Sequence, residues 1–243
     1  MNSYSHKFFT ALCFDNDMDL IDSCILPDED EAGSGFSCHF YNPVTRKCYL
    51  GTEDSAKNRF IWHLSHYLRT TKKEYLGRAI HYLEDMCTPV HTQYEDAIDA
   101  AIRLNLHVNF EKKLDEYIKE HDNFHTIIKF NSIYEVLKYC PCKAAELYYK
   151  YRDGGETTSI FESVVDLTTS ALFLLKHQIN STKIISGFFT KKGEEINALF
   201  EDGRIFPSCL NTNFCLRYNG CNNVTVFYRD NKVYNFNVLC DLI

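Results

Sequence analysis

Residues 77–111 read GRAIHYLEDMCTPVHTQYEDAIDAAIRLNLHVNFE, and the fold turns on how this stretch is built. His81 and Asp85 are four apart, in a segment whose apolar residues Tyr75, Leu76, Ala79, Ile80 and Leu83 recur at helical spacing. Both side chains therefore leave one face of a helix. Pro89 disfavours helical geometry in the residue before it, which predicts that the helix ends near Thr88 and that the turned chain delivers His91. A second pair follows, His107 and Glu111, again four apart in a run (Leu104, Leu106, Val108, Phe110, Leu114, Ile118) that reads as helical. Five imidazole and carboxylate groups thus fall within 31 residues. A lone His-x-x-x-Asp is most often an ordinary surface or core pair. Two such pairs bridged by Pro-Val-His make a metal-site pattern. Gly77, one turn ahead of His81, is expected to leave room on that face for metal and substrate.

These ligand types suit zinc, which takes imidazole nitrogen and carboxylate oxygen at about 2.0–2.2 Å and is usually four-coordinate. Three protein ligands leave the fourth position to water, whose pKa then drops to roughly 7.

At 243 residues the chain exceeds one typical domain and falls short of two, which favours one sizeable core with an appendage. The net charge is −7, from 26 basic and 33 acidic residues, with no long basic run, so duplex nucleic acid is not an expected partner. No stretch approaches the 18 or more consecutive apolar residues of a spanning helix. The opening MNSYSHKFFTALCF lacks the length and charge order of a signal peptide. The eleven cysteines show no C-x-x-C knuckles, so disulfides are expected rather than a thiolate zinc site. With sequons at Asn180 and Asn223 they point to an extracellular chain, which a leader ahead of this start would reconcile with its amino terminus.

The first helix is expected from His6 to Phe14, with Ser5 as its cap. Pro27-Asp28-Glu29-Asp30-Glu31 is an acidic turn leading to Cys38-His39-Phe40-Tyr41-Asn42-Pro43. Residues 53–70 form an amphipathic helix on Phe60, Ile61, Leu64, Tyr67 and Leu68, and His63 and His66 ride on it as packing or surface residues. After Glu111 the helix continues past Tyr117, and a further amphipathic segment ends at Asp153-Gly154-Gly155. A core helix follows from Glu156 to Gln178. Beyond Ser181, Val224–Tyr228 and Lys232–Val238 alternate around Arg229-Asp230-Asn231 as a β-hairpin, with Cys209, Cys215, Cys221 and Cys240 clustered about it. The expected organisation is mainly α: a helical bundle over 1–180 with a metal cluster in a cleft, and a small cysteine-stapled, β-containing tail over 181–243.

The strings HYLEDMCTPVH and HVNFE, with HFYNP upstream at His39, resemble the bacterial zinc-dependent phospholipases C, which are related to single-strand-specific fungal nucleases. The resemblance covers roughly residues 5 to 180, and Asn42 stands where the family often has Asp. It implies a cluster of two to three zinc ions. His39, His81, Asp85 and an acid of the Pro27–Glu31 turn would hold one, the acid being Asp28 or, as runner-up, Asp30. His91, His107 and Glu111 would hold a second. His6, the amino-terminal residue and a bridging Asp85 would hold a third, expected to be weak because the family's terminal tryptophan is missing and Trp62 lies mid-chain. Asp28 would double as general base. The implied activity is hydrolysis of phosphatidylcholine-like phospholipids to diacylglycerol and a phosphorylated head group, by a monomer in peripheral contact with membrane. Two rivals are a single-strand-specific nuclease and a non-catalytic secreted module stapled by zinc. In the nucleases the second pair usually ends in Asp and the loop reads Gln-Pro-Leu-His, where this chain has Glu111 and Thr88-Pro89-Val90-His91. A closed structural site would not need Asp28 beside a full ligand set.

Overall fold

The computed structural model describes residues 1–31, 36–52, 54–92, 100–121 and 128–181, and six strands beyond them. The centre of the fold is helix α5 (Lys73–Cys87), in which every residue from Leu76 to Cys87 is buried. Around it run α1 (Ser3–Cys13), α2 (Met18–Ser23), α3 (Leu26–Asp30), α4 (Ala56–Thr70), α6 (Ala100–Glu120), α7 (Ile133–Arg152) and α8 (Thr157–Ser181). α5 ends as proline dictates. Thr88 is extended (φ −95°, ψ 122°) and a 3-10 turn, Pro89–His91, carries the chain back against the bundle.

The core is apolar and continuous. Phe9 from α1, Phe60, Ile61 and Leu64 from α4, Ile80, Leu83 and Met86 from α5, and Phe110 from α6 are all fully buried. α8 contributes Val164, Val165, Leu167, Ala171, Leu172 and Leu175. Thr157–Ile179 is long and apolar enough to cross a membrane (mean hydropathy 1.3), yet here it serves as a core helix, 61% buried. α7 is capped by Ser132, whose Oγ accepts from Glu135 N, and is closed by Gly154 at φ +81°.

Several expectations need correction. α1 starts behind Asn2, not Ser5, because Ser5 Oγ is engaged elsewhere: it donates to Asp115 Oδ1 on α6 at 2.5 Å, beside Asn2 Nδ2 donating to Oδ2 at 3.0 Å. The acidic turn at 27–31 is largely helix, α3, with Pro27 in its first turn. Gly77 does not face the cleft. A Cβ there would stand 2.0 Å from Ser23 Oγ, so the missing side chain is what lets α2 lie against α5. The described cysteines, Cys13, Cys24, Cys38, Cys48, Cys87, Cys140 and Cys142, are free thiols rather than disulfides. Some of them have local acceptors: Cys24 Sγ donates to Ile21 O at 3.2 Å, and Cys38 Sγ to Glu31 O at 3.0 Å.

Beyond Ser181, β1 (Ile185–Gly187), β2 (Ile196–Phe200), β5 (Asn223–Tyr228) and β6 (Val233–Asn237) pair in the order β1-β2-β5-β6, all antiparallel. β3 (Ile205–Leu210) and β4 (Asn213–Tyr218) make a second antiparallel pair. The expected hairpin is β5–β6, with Val224 opposite Phe236 and Val226 opposite Tyr234. The side chains of this region, its four cysteines among them, lie outside the described residues, and so does any disulfide among them.

Candidate metal centre

Asp85 is the hub, and its position follows from helix geometry. It projects from α5 one turn beyond His81, fully buried, with both carboxylate oxygens engaged. Oδ2 lies 3.0 Å from His39 Nδ1 and 3.3 Å from His81 Nε2. Oδ1 lies 3.1 Å from the Met1 amine, 3.3 Å from His91 Nδ1 and 3.7 Å from His6 Nε2. An isolated carboxylate at such depth would be prohibitively desolvated. Burial pushes its pKa up, but His91, the Met1 amine and His81 outweigh that and hold Asp85 ionised, well below the usual carboxylate range.

Three groups of potential metal donors share this centre, each with its ligating atoms within 4.8 Å of one another: His39, His81 and Asp85; His6, Asp28 and His81; and His91, His107 and Glu111. Asp28 Oδ1 stands 3.7 Å from His39 Nδ1 and 3.6 Å from His81 Nε2. On α6, Glu111 Oε1 is 3.0 Å from His107 Nε2 one turn back and 3.1 Å from His91 Nε2. The Met1 amine bridges the groups, 3.1 Å from His91 Nε2 and 3.1 Å from Glu111 Oε1. All eight residues singled out in the sequence thus come together. His6 lies with Asp28 and His81 as well as near Asp85, so its group overlaps the first rather than standing apart.

The choice between Asp28 and Asp30 is made by a neighbour. Asp30 receives both terminal nitrogens of Arg78, each at 2.6 Å, and so turns away from the centre while Asp28 faces it. Arg78 also bonds Glu31 Oε1. Glu31 Oε2 accepts from Tyr82 OH at 3.0 Å and pairs with His63 Nε2 at 3.0 Å and Arg59 at 3.2 Å. Burial alone would raise the Glu31 carboxyl, but these partners lower it to about 2. Because burial keeps His63 neutral, Arg78 is the partner that holds Glu31 charged. His63 is accordingly a packing residue of this clamp, which fixes the end of α3 and so the position of Asp28.

Backbone carbonyls set the imidazoles. His81 Nδ1 donates to Cys24 O at 2.7 Å and His91 Nδ1 to His39 O at 3.0 Å, which leaves each Nε2 facing the centre as a lone-pair donor. His6 is oriented by a carboxylate, with Nδ1 2.5 Å from Glu84 Oε2, while Thr10 Oγ1 donates to Glu84 Oε1 at 3.3 Å. Burial and the adjacent Asp85 raise Glu84 well above the ordinary range, and burial with His81 and the Met1 amine lowers His6 well below its own. Glu84 and the Glu31–Arg78 clamp are the functional residues that sequence reasoning missed. Glu84 was visible in principle as a carboxylate three residues after His81 and directly beside Asp85.

The donor set fits zinc. His6 Nε2, which faces Asp85 Oδ1, is fully buried with no hydrogen-bond partner, an arrangement that costs free energy unless a ligand takes the lone pair. In the metal-free protein the surplus of acids is balanced by protons. Burial opposes charge on the Met1 amine, but Glu111, Asp85 and Asp28 raise it to about 11. His39 is likewise raised to about 10, its hydrogen bond to Asp85 outweighing burial, whereas burial lowers His91 to about 4.

The centre forms the floor of a cleft of about 510 Å³. Phe36, Phe40, Tyr49, Leu104 and Val108 wall it, and Arg103 is its further basic lining residue. Phe36, Leu104 and Val108 are 47%, 64% and 53% exposed.

No protein-family model matches the sequence, and no curated protein matches it. Among solved structures, the fold is similar to the alpha toxin of Clostridium absonum (14% identity, TM-score 0.50), over 94% of this chain and 80% of that one. The alpha toxin of an avian strain of Clostridium perfringens is also similar, at 18% identity and a TM-score of 0.49, over 90% of this chain and 84% of that one. The chain thus has the fold of the clostridial alpha toxins, in keeping with the resemblance of its motifs to the zinc-dependent phospholipases C, and carries buried His/Asp/Glu clusters suited to zinc.

Proposed function

We propose that this protein is a zinc-dependent phosphodiesterase that hydrolyses phospholipids to diacylglycerol and a phosphorylated head group. The observation that carries the reading is the packing of three donor groups around the buried Asp85, beneath a cleft with an exposed apolar rim. His39, His81, Asp85 and Asp28 hold one ion. His91, His107 and Glu111 hold a second. A third at His6, Asp85 and the Met1 amine competes with the proton that three carboxylates keep on that amine. Bound zinc supplies Lewis-acid polarisation of the phosphoryl oxygen and a water acidic near neutral pH.

The chain's own residues do the rest. Asp85 is fully enclosed and Glu111 nearly so, while the Asp28 side chain is 31% exposed at the cleft wall. Asp28 is therefore the carboxylate that reaches solvent, and it accepts the proton of the attacking water. The Glu31–Arg78 clamp keeps it there. Phe36, Leu104 and Val108 take the apolar glyceride portion, leaving the phosphate over the metal floor. This rim favours lipid over nucleic acid. Among the described residues that line the cleft outside the clusters, one side chain is basic, too few to follow a chain of phosphates. An extracellular setting, peripheral membrane contact, action as a monomer, and a division into a helical unit over 1–180 and a β-containing tail over 181–243 belong to the same proposal.

The test is Asp28→Asn, assayed on short-chain phospholipid with zinc measured in the same sample. A fall in kcat of about a hundredfold or more with zinc retained supports the assignment. Undiminished turnover overturns it.

A further inference from the structure

We propose that Arg103 makes this cleft select phospholipids with an anionic head group over those with choline. The inference rests on the phospholipid reading above and names the substrate class within it.

Arg103, His107 and Glu111 are spaced i, i+4, i+8 on α6, so they share one face of the helix. All three line the cleft. Arg103 therefore stands one turn outward from His107, about 6 Å along the helix axis, where the group attached to a phosphate bound over the metal floor must lie. Its guanidinium has no carboxylate partner among the described residues, and its positive charge is felt at the Tyr49 phenol across the cleft. A free Arg in a walled cleft is a fork of donors for an anionic or hydroxyl-rich group.

Among the described residues, the same wall offers a choline group no acid of its own. The described carboxylates lining the cleft are Asp28 and Glu111, and both belong to the donor groups. Aromatic faces are the other means of holding such a cation. Here one face of Phe40 is covered by the His91 ring (centroids 5.0 Å apart, 13° between planes), Tyr49 meets Phe40 edge-on at 4.9 Å, and Phe36 belongs to the rim that takes the glyceride. A choline group would thus meet a like charge at Arg103 with no acid among the described lining residues to offset it. The choline preference implied by the family resemblance does not carry over to this cleft.

The experiment compares soluble short-chain phosphatidylglycerol and phosphatidylcholine of equal acyl length, below their aggregation concentrations, with the zinc-loaded full chain and its Arg103→Gln variant. Monomeric substrates keep the net charge of −7 from acting through a lipid surface. The expected result is a kcat/KM about tenfold or more in favour of the anionic lipid, the contribution of one charge-assisted hydrogen bond. In Arg103→Gln that preference collapses, through a raised KM for the anionic lipid and a lowered one for phosphatidylcholine, while zinc content is unchanged. A wild-type preference for choline, or an equal loss on both lipids in the variant, overturns the proposal. Hydrolysis of nucleotide phosphodiesters with neither lipid cleaved overturns the phospholipid reading itself, and is distinguishable because no head-group ratio can then be measured.

Discussion

Gly77→Ala tests how packing far from the cleft sets the metal centre. Alanine removes the helix penalty of glycine, a gain of about 0.8–1.0 kcal/mol in an unobstructed helix. Here the new Cβ would lie 2.0 Å from Ser23 Oγ, 2.8 Å from Ser23 Cβ and 2.9 Å from the Ser23 carbonyl carbon. Rotating the hydroxyl relieves only the first contact, and it forfeits the bond from Ser23 Oγ to Asp19 O. The other two require α2 to retreat from 2.8 Å to an ordinary contact beyond 3.4 Å. Overpacking of this kind costs about 1–3 kcal/mol, and with backbone involved the upper half applies, for a net loss of about 1–2 kcal/mol. For a chain of this size that lowers Tm by about 2–8 °C. The effect reaches the site because the carbonyl after α2, Cys24 O, accepts the 2.7 Å hydrogen bond from His81 Nδ1. Loosening such a partner typically weakens metal binding about 10–100-fold. Calorimetry and chelator competition measure both effects, and the added change Ser23→Gly should recover them in part, since it removes the side-chain contacts and leaves the 2.9 Å backbone one. A Gly77→Ala protein as stable as wild type with unchanged zinc affinity would refute the reasoning.

Glu84→Gln should weaken zinc binding about 10–100-fold in competition titrations, because His6 loses the carboxylate that orients it. The melting temperature of the metal-free protein should not fall, since burial already disfavours charge on Glu84. Equal zinc affinity would remove Glu84 from the account. In acid, the depressed Glu31 carboxyl contributes stability that is complete above its ordinary pKa of 4.5 and is lost as pH falls toward about 2. His63, also depressed, contributes stability that is complete above its ordinary 6.5 and declines below it. Urea midpoints of chelated wild type and Glu31→Gln should therefore converge between pH 4.5 and 2. A constant gap would show that the charge on Glu31 is not what matters.

What was legible in the sequence followed from short-range rules. The i, i+4 pairs His81/Asp85 and His107/Glu111 and the helix stop before Pro89 depend on residues within one turn of each other, and they stand where the pattern put them. What the sequence left open or misread was decided at long range. Asp28 rather than Asp30 faces the centre because Arg78, 48 residues along, holds Asp30. Ser5 does not cap α1 because Asp115 of α6 takes its hydroxyl. Gly77 reads as an opening toward substrate until α2 is seen against it. The cysteine count suggested pairing, yet the positions of sulfurs such as Cys13, fully buried and within 4.0 Å of Thr169 O, are set by helix packing that no count reveals.

The most direct test of the metal centre is elemental analysis of the protein purified without added metal and dialysed against a zinc-free buffer. Asp85 gathers His6, His39, His81, His91 and the Met1 amine, with Asp28, His107 and Glu111 completing the donor groups. The account predicts at least two zinc ions per chain. It also predicts that Asp85→Asn lowers that number and the melting temperature together, since binding to a preformed site adds to folding stability. Fewer than two zinc ions in the wild type, or an Asp85→Asn protein with the same zinc content and the same Tm, would contradict it.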